Sequence, residues 1–329
     1  MGLRPMDTHA TGRRSLQALY ATLLVAILAP RGGARAEEPP AAAPTAAPAA
    51  SPAAPAPYSL PWQLRPAVAG TVLRVDSAIA LYEDQAGNNG ETVATMILGS
   101  YKVTPELAPF VRLGVVGNSP PTGGGAVVLV NPALGATYAL KFARDFRLAL
   151  FLGLTIPVGM GGGDAPDPAK AAATRSGILS RSAMDNAMFA VNDFTVFPGV
   201  GLAYVAHGLT VQAEVTLLQL TRVRGSAAQP DSSKTNFTTG LHVGYFVVPL
   251  LSVGAELRYQ RWLSTPAAVA ADATGASRDT LSMAVGPRVH LRLGKSTWIR
   301  PGIAYAQGLD YPMTKQDYRI VQVDVPVSF

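Results

Sequence analysis

Few side chains in this 329-residue sequence could do chemistry. There is no cysteine. That excludes a thiol nucleophile, a Cys-ligated zinc or iron–sulfur site, a disulfide scaffold and a lipidated lipoprotein. Four histidines remain: His9, His207, His242 and His290. Glu214, His242 and Glu256 could imitate a metal or proton-transfer cluster. The alternative is a buried, hydrogen-bonded histidine. The glycine-rich run 159–164 (GMGGGD) lacks the GK[ST] that completes a phosphate-cradling loop. No cofactor and no metal are expected.

The remaining candidates are charges, and they need elements to position them. Only 15% of residues are charged, against about a quarter in soluble chains. The net charge is +6, but residues 1–36 hold five arginines against Asp7. The remainder has 22 basic and 20 acidic residues. Nucleic acid is therefore not an expected partner.

Residues 1–36 read as a secretory signal peptide: basic residues, the apolar run 16–29, then Ala34-Arg35-Ala36 at a cleavage site. A membrane anchor is the alternative. The run is shorter than the roughly 20 residues that a spanning helix needs. Residues 37–65 read as an Ala/Pro-rich periplasmic linker, stiffened by proline. It is an inert spacer or a segment that binds the cell wall or a partner. Residues 66–329 form the remaining domain.

That domain alternates with period two. Val321, Val323, Val325, Val327 and Phe329 share one face of 319–329, and Gln322, Asp324 and Ser328 the other. Leu148, Leu150, Leu152 and Leu154 oppose Arg147, Phe151 and Thr155. The pattern predicts about twelve strands: 70–82, 91–104, 108–118, 125–141, 147–159, 193–206, 209–223, 235–248, 250–263, 279–293, 296–308 and 318–329. Their lengths suit a tilted membrane crossing. Their polar faces are rich in Gly and Ala, which suits a crowded interior. Short and long connections alternate, as in barrels with periplasmic turns and external loops. The fold class is all-β, a transmembrane antiparallel β-barrel.

Phe329 preceded by Val327 and Val325 resembles the C-terminal assembly signal of bacterial outer-membrane β-barrels. Gly135-Ala136-Thr137-Tyr138, followed by LALFLGLTIPVG, resembles strands of outer-membrane transporters linked to aromatic-compound degradation. The resemblance implies a place in the bacterial outer membrane, with lipid, the barrel-assembly machinery and small solutes as partners. Oligomeric state is not set by it.

Charge on a lipid-facing surface costs about 2–4 kcal/mol at the midplane, so the strand charges belong inside. The expected lumenal set is Arg74, Asp76, Glu214, His242, Glu256, Arg258, Arg288, Arg300 and Asp324. Lys102, Arg112, Lys141, Arg147 and Arg292 are expected to face inward with them. Hairpin register sets Glu256 opposite His242 with Glu214 close by, and Arg288 diagonal to Glu256. It sets Asp324 beside Arg74 and Asp76 across the closure. Such a belt either braces the barrel or screens solutes, and its excess of arginine favours anions. The loop 160–192 is the longest. Asp167-Pro168 starts a helix, and a second helical stretch near 177–190 carries Ile178, Leu179, Met184, Met188 and Phe189. The barrel mouth is the surface available to them.

The functional expectation is passive passage of small solutes through a charge-lined, loop-occluded lumen. A closed barrel of structural or surface-interaction role is the alternative, recognisable by a lumen filled with Phe151, Phe197, Phe246 and Trp298. A lipid-modifying enzyme comes third. It would need a base beside its nucleophile on the lipid face, and no histidine is expected there.

Overall fold

The computed structural model describes residues 57–84 and 86–329. The signal peptide, and residues 37–56 of the linker, lie outside the described residues. Fifteen strand segments form one antiparallel sheet. These are β1 Val72–Glu83, β2 Asn89–Ser100, β3 Leu107–Ser119, β4 Ala126–Leu129, β5 Ala133–Lys141, β6 Phe146–Thr155, β7 Asp193–Ala206 and β8 Leu209–Arg222. They continue as β9 Ser233–Val248, β10 Leu251–Trp262, β11 Asp279–Val289, β12 Leu291–Arg292, β13 Trp298–Ile299, β14 Gly302–Gly308 and β15 Arg319–Ser328. The insert between β6 and β7 holds α1, Pro168–Ser180, and α2, Asn186–Phe189.

Three barrel strands are each drawn in two pieces, β4 with β5, β11 with β12 and β13 with β14, so the wall has twelve. Proline explains two breaks, because Pro132 and Pro301 have no N–H for the ladder. At the first break, Arg112 pairs with Ala133 and Val115 with Leu129. Three residues thus oppose two, a β-bulge. The sheet closes where β1 pairs with β15, Val75 opposite Val325 and Asp76 opposite Asp324.

Period-two alternation decides the faces. On β8, Val215 and Leu217 are exposed outward, while Gln212, Glu214 and Thr216 are buried inward. Leu241, Val243 and Tyr245 continue the outer apolar belt on β9, as do Val253 and Leu257 on β10. Phe329 is exposed at the end of the closing strand. An exterior of exposed Leu and Val is favourable only against lipid.

The buried core therefore sits inside the cylinder. Met96, Val116, Phe151, Phe197 and Leu218 of the wall pack with Ala173, Ala187, Met188 and Phe189 of the insert. Trp62, ahead of β1, packs with Ala78, Ala284, Ala304 and Met313.

Candidate functional site

The lumen holds the candidate site, and its first feature was not anticipated. Residues 58–67 run inside the barrel, whereas their composition places all but the last two in the linker. Pro61 and Pro66 keep this segment out of a helix, so its backbone donors need other partners. Glu256 accepts from the Trp62 and Gln63 amides at 2.7 and 3.0 Å. Glu214 accepts from the Arg65 amide at 2.5 Å and from its guanidinium at 2.7 Å. The Ser59 amide donates to the Thr210 hydroxyl at 3.0 Å, and the Gln212 amide to the Arg65 carbonyl at 2.6 Å.

Inward glycines make the seat. A Cβ at Gly244 would lie 2.1 Å from the Ser59 hydroxyl, and one at Gly240 2.5 Å from the Leu64 side chain. One at Gly302 would lie 2.7 Å from the Trp62 ring. Arginine planes cover the aromatic faces: Arg288 lies 4.4 Å over Trp62, and Arg65 lies 4.2 Å over Phe151.

Inward charges form ion pairs, with different partners from those expected. Glu256 does face His242 across the β9–β10 ladder. Their closest N···O distance is 4.0 Å, beyond a hydrogen bond. Glu256 is instead taken by the two backbone amides and by Arg258 at 2.6 Å. Glu214 pairs with Gly240, two residues from His242, and its ion-pair partner is Arg65. So the imagined Glu214–His242–Glu256 cluster is divided between two anchors of the N-terminal segment. Arg288 lies opposite Ser252, four residues from Glu256 along β10. Its carboxylate partner is Asp324 at 2.5 Å. Arg74 joins the same Asp324 at 2.8 Å, as the closure register implied. Arg74 also holds the carbonyls of Pro61 and Trp62.

Arg300 donates to the Ser328 hydroxyl at 2.8 Å, and Arg292 to the Gly294 and Lys295 carbonyls. Lys141 and Arg147 face each other across the β5–β6 ladder. Arg112 does not belong to a free basic wall. It pairs with Asp185 and lies 3.5 Å from Asp76.

Asp185 belongs to the insert. Asp167 caps α1, its carboxylate accepting from the Lys170 amide at 3.0 Å, as the sequence predicts. The helix then continues through Ser180, so Ile178 and Leu179 belong to the first helix and only Met188 and Phe189 to the second. Arg181 reaches both Asp76 and Asp185, joining the insert to β1 and β3 through Arg112. The Asn131 amide, freed by the bulge, donates to the Met188 carbonyl at 2.9 Å, and its side chain to the Ala190 carbonyl at 2.8 Å. Sequence reasoning placed the insert at the mouth. The bulge contacts were not legible, because only pairing reveals them.

The aromatic filling that would mark the alternative, a closed barrel, is half present. Phe151 and Phe197 are buried in the lumen, while Phe246 and Trp298 remain partly exposed. A cavity of about 310 Å³ is lined by Trp62 and Leu64 of the segment, Met184 and Met188 of the insert, and wall residues including Phe110 and Arg300.

No family model matches this chain, and no curated protein does. Among solved structures, an outer-membrane channel from Pseudomonas putida F1 aligns with a TM-score of 0.51 at 14% identity. The alignment covers 82% of this chain and 98% of that one. The fold is that of a bacterial outer-membrane β-barrel. The KdgM porin aligns with a TM-score of 0.44 at 11% identity, over 78% of this chain and 99% of that one. The NanC porin aligns with a TM-score of 0.43 at 8% identity, over 78% and 98%.

Proposed function

We propose that this barrel is an outer-membrane channel for small solutes, closed at rest by two internal elements. The N-terminal segment 58–67 occupies the lumen on one side of the cavity, and the insert 160–192 occupies it on the other. The observation that carries this reading is how the segment is attached. Its backbone amides rest on Glu214 and Glu256, in a seat of inward glycines. Hydrogen bonds to carboxylates, worth about 1.5–3 kcal/mol each, can be exchanged for water. A barrel meant to stay filled can close its lumen with wall side chains alone. Arg74 and Arg288 on Asp324, and Arg258 on Glu256, then brace the wall in the closed state, and with Arg300 they line the path once the segment leaves. Phe329, Val327 and Val325 serve as the assembly signal.

The test is single-channel conductance of the refolded protein in a planar bilayer, with and without residues 58–66. Brief, rare openings are expected for the full chain and sustained large steps for the deletion. The closed-barrel reading has its own support, since both halves of the lumen are occupied. Silence from the deletion variant, shown to be folded by heat-modifiable gel migration, would decide for that reading.

A further inference from the structure

The cavity between segment and insert has a chemistry of its own. Its walls are mainly apolar, with Leu60, Leu98, Phe110, Met184, Met188 and Phe197 prominent. Its volume, about 310 Å³, is at the lower end of ligand sites, which span roughly 300–1,000 Å³. It is about twice that of a cavity of about 150 Å³ that accepts benzene, so it suits about a dozen non-hydrogen atoms.

The charges around it do not balance. Arg65, Arg74, Arg112 and Arg300 line it against Asp76 and Asp185. Three of these arginines have carboxylate partners: Arg65 has Glu214, Arg74 has Asp324, and Arg112 has Asp185. Arg300 has none among the described residues. Its guanidinium meets the Ser328 hydroxyl and the face of Trp298, 5.3 Å from the guanidinium carbon. A half-buried guanidinium with spare donors beside an apolar chamber favours a carboxylate.

We propose that this cavity binds a hydrophobic monocarboxylate of about a dozen non-hydrogen atoms, its apolar body against Phe110 and Met188 and its carboxylate on Arg300. The proposal rests on the channel reading and names the class of solute that channel would pass.

The probes are 4-butylbenzoate and its neutral isostere 4-butylbenzamide, titrated calorimetrically into the refolded full chain. The carboxylate is expected to bind at least ten-fold more tightly, because charge-assisted bonds are roughly twice as strong as neutral ones. Arg300→Gln should abolish that preference and Arg300→Lys should retain it. Ala187→Trp fills the cavity and should remove binding of both probes. Thr137→Trp, on the cavity-lining β5, does the same if Ala187→Trp fails to fold. Equal affinity for the two probes, or carboxylate binding that survives a folded cavity-filled variant, would overturn the proposal. Binding without conductance leaves this site standing and removes the passage reading. Conductance without binding removes the site and leaves the passage.

Discussion

Replacing Glu214 with glutamine separates the attachment of the N-terminal segment from the integrity of the wall. The Glu214 carboxylate accepts from Arg65 twice, the amide at 2.5 Å and the guanidinium at 2.7 Å, and from the neighbouring Thr216 hydroxyl at 3.4 Å. Among the described residues it has no ion-pair partner on the wall itself. Glutamine keeps the shape, removes the charge and turns one acceptor into a donor. Hydrogen bonds to charged groups are worth about 1.5–3 kcal/mol and neutral ones about 0.5–1.5. One bond is then weakened by about 1 kcal/mol, and the other, its acceptor replaced by an N–H, loses about 2 kcal/mol, so about 3 kcal/mol in all. At 1.4 kcal/mol per decade, the displaced population rises roughly 100-fold. Open probability in a planar bilayer reads this directly, and step size should stay the same. Heat-modifiable migration should be unchanged, since the β8–β9 ladder keeps its backbone bonds. Unchanged open probability in a folded Glu214→Gln protein would refute the idea that this carboxylate holds the segment.

Gly302→Ala places a methyl 2.7 Å from the Trp62 ring. Overpacking of this kind costs about 1–3 kcal/mol, so the Trp62 environment should become wetter, read as a red shift absent from a Trp62→Phe control. Asp185→Asn takes a carboxylate from both Arg112 and Arg181. Breaking one side of a buried pair costs about 3–5 kcal/mol, and limited proteolysis within 160–192 should speed up. Asp185 lies on the insert rather than on a spanning strand. Burial raises its carboxyl, but Arg112 and Arg181 more than offset this and hold it well below the usual range. Its stabilisation is present above the ordinary carboxylate value of about 3.9 and is lost only as pH falls through the depressed one. Proteolysis of the insert should therefore be the same at pH 8 and pH 5. Arg288→Ala leaves Asp324 with Arg74 as its remaining ion-pair partner, so the temperature of heat-modified migration should fall.

The sequence by itself determined the wall. Alternation puts Val215 and Leu217 outward and Glu214 and Thr216 inward, because a one-residue slip would turn every charge into lipid. The strand 193–206 agrees to the residue. The Asp167 cap is equally local. Glycine-rich inner faces pointed to a crowded lumen, without naming what crowds it.

Only tertiary structure decided the occupants. Residues 58–65 look like the end of a linker, since nothing local says that their amides will meet Glu214 and Glu256, roughly 150 and 194 positions away. Exchange of partners within the charge belt has the same cause. Period-two patterning tells which side a charge faces, whereas its partner depends on register, on the bulge at Asn131 and on chain entering from elsewhere. Arg288 could be placed inside the barrel from sequence. That it would share Asp324 with Arg74, and cover Trp62, depended on three distant segments meeting there.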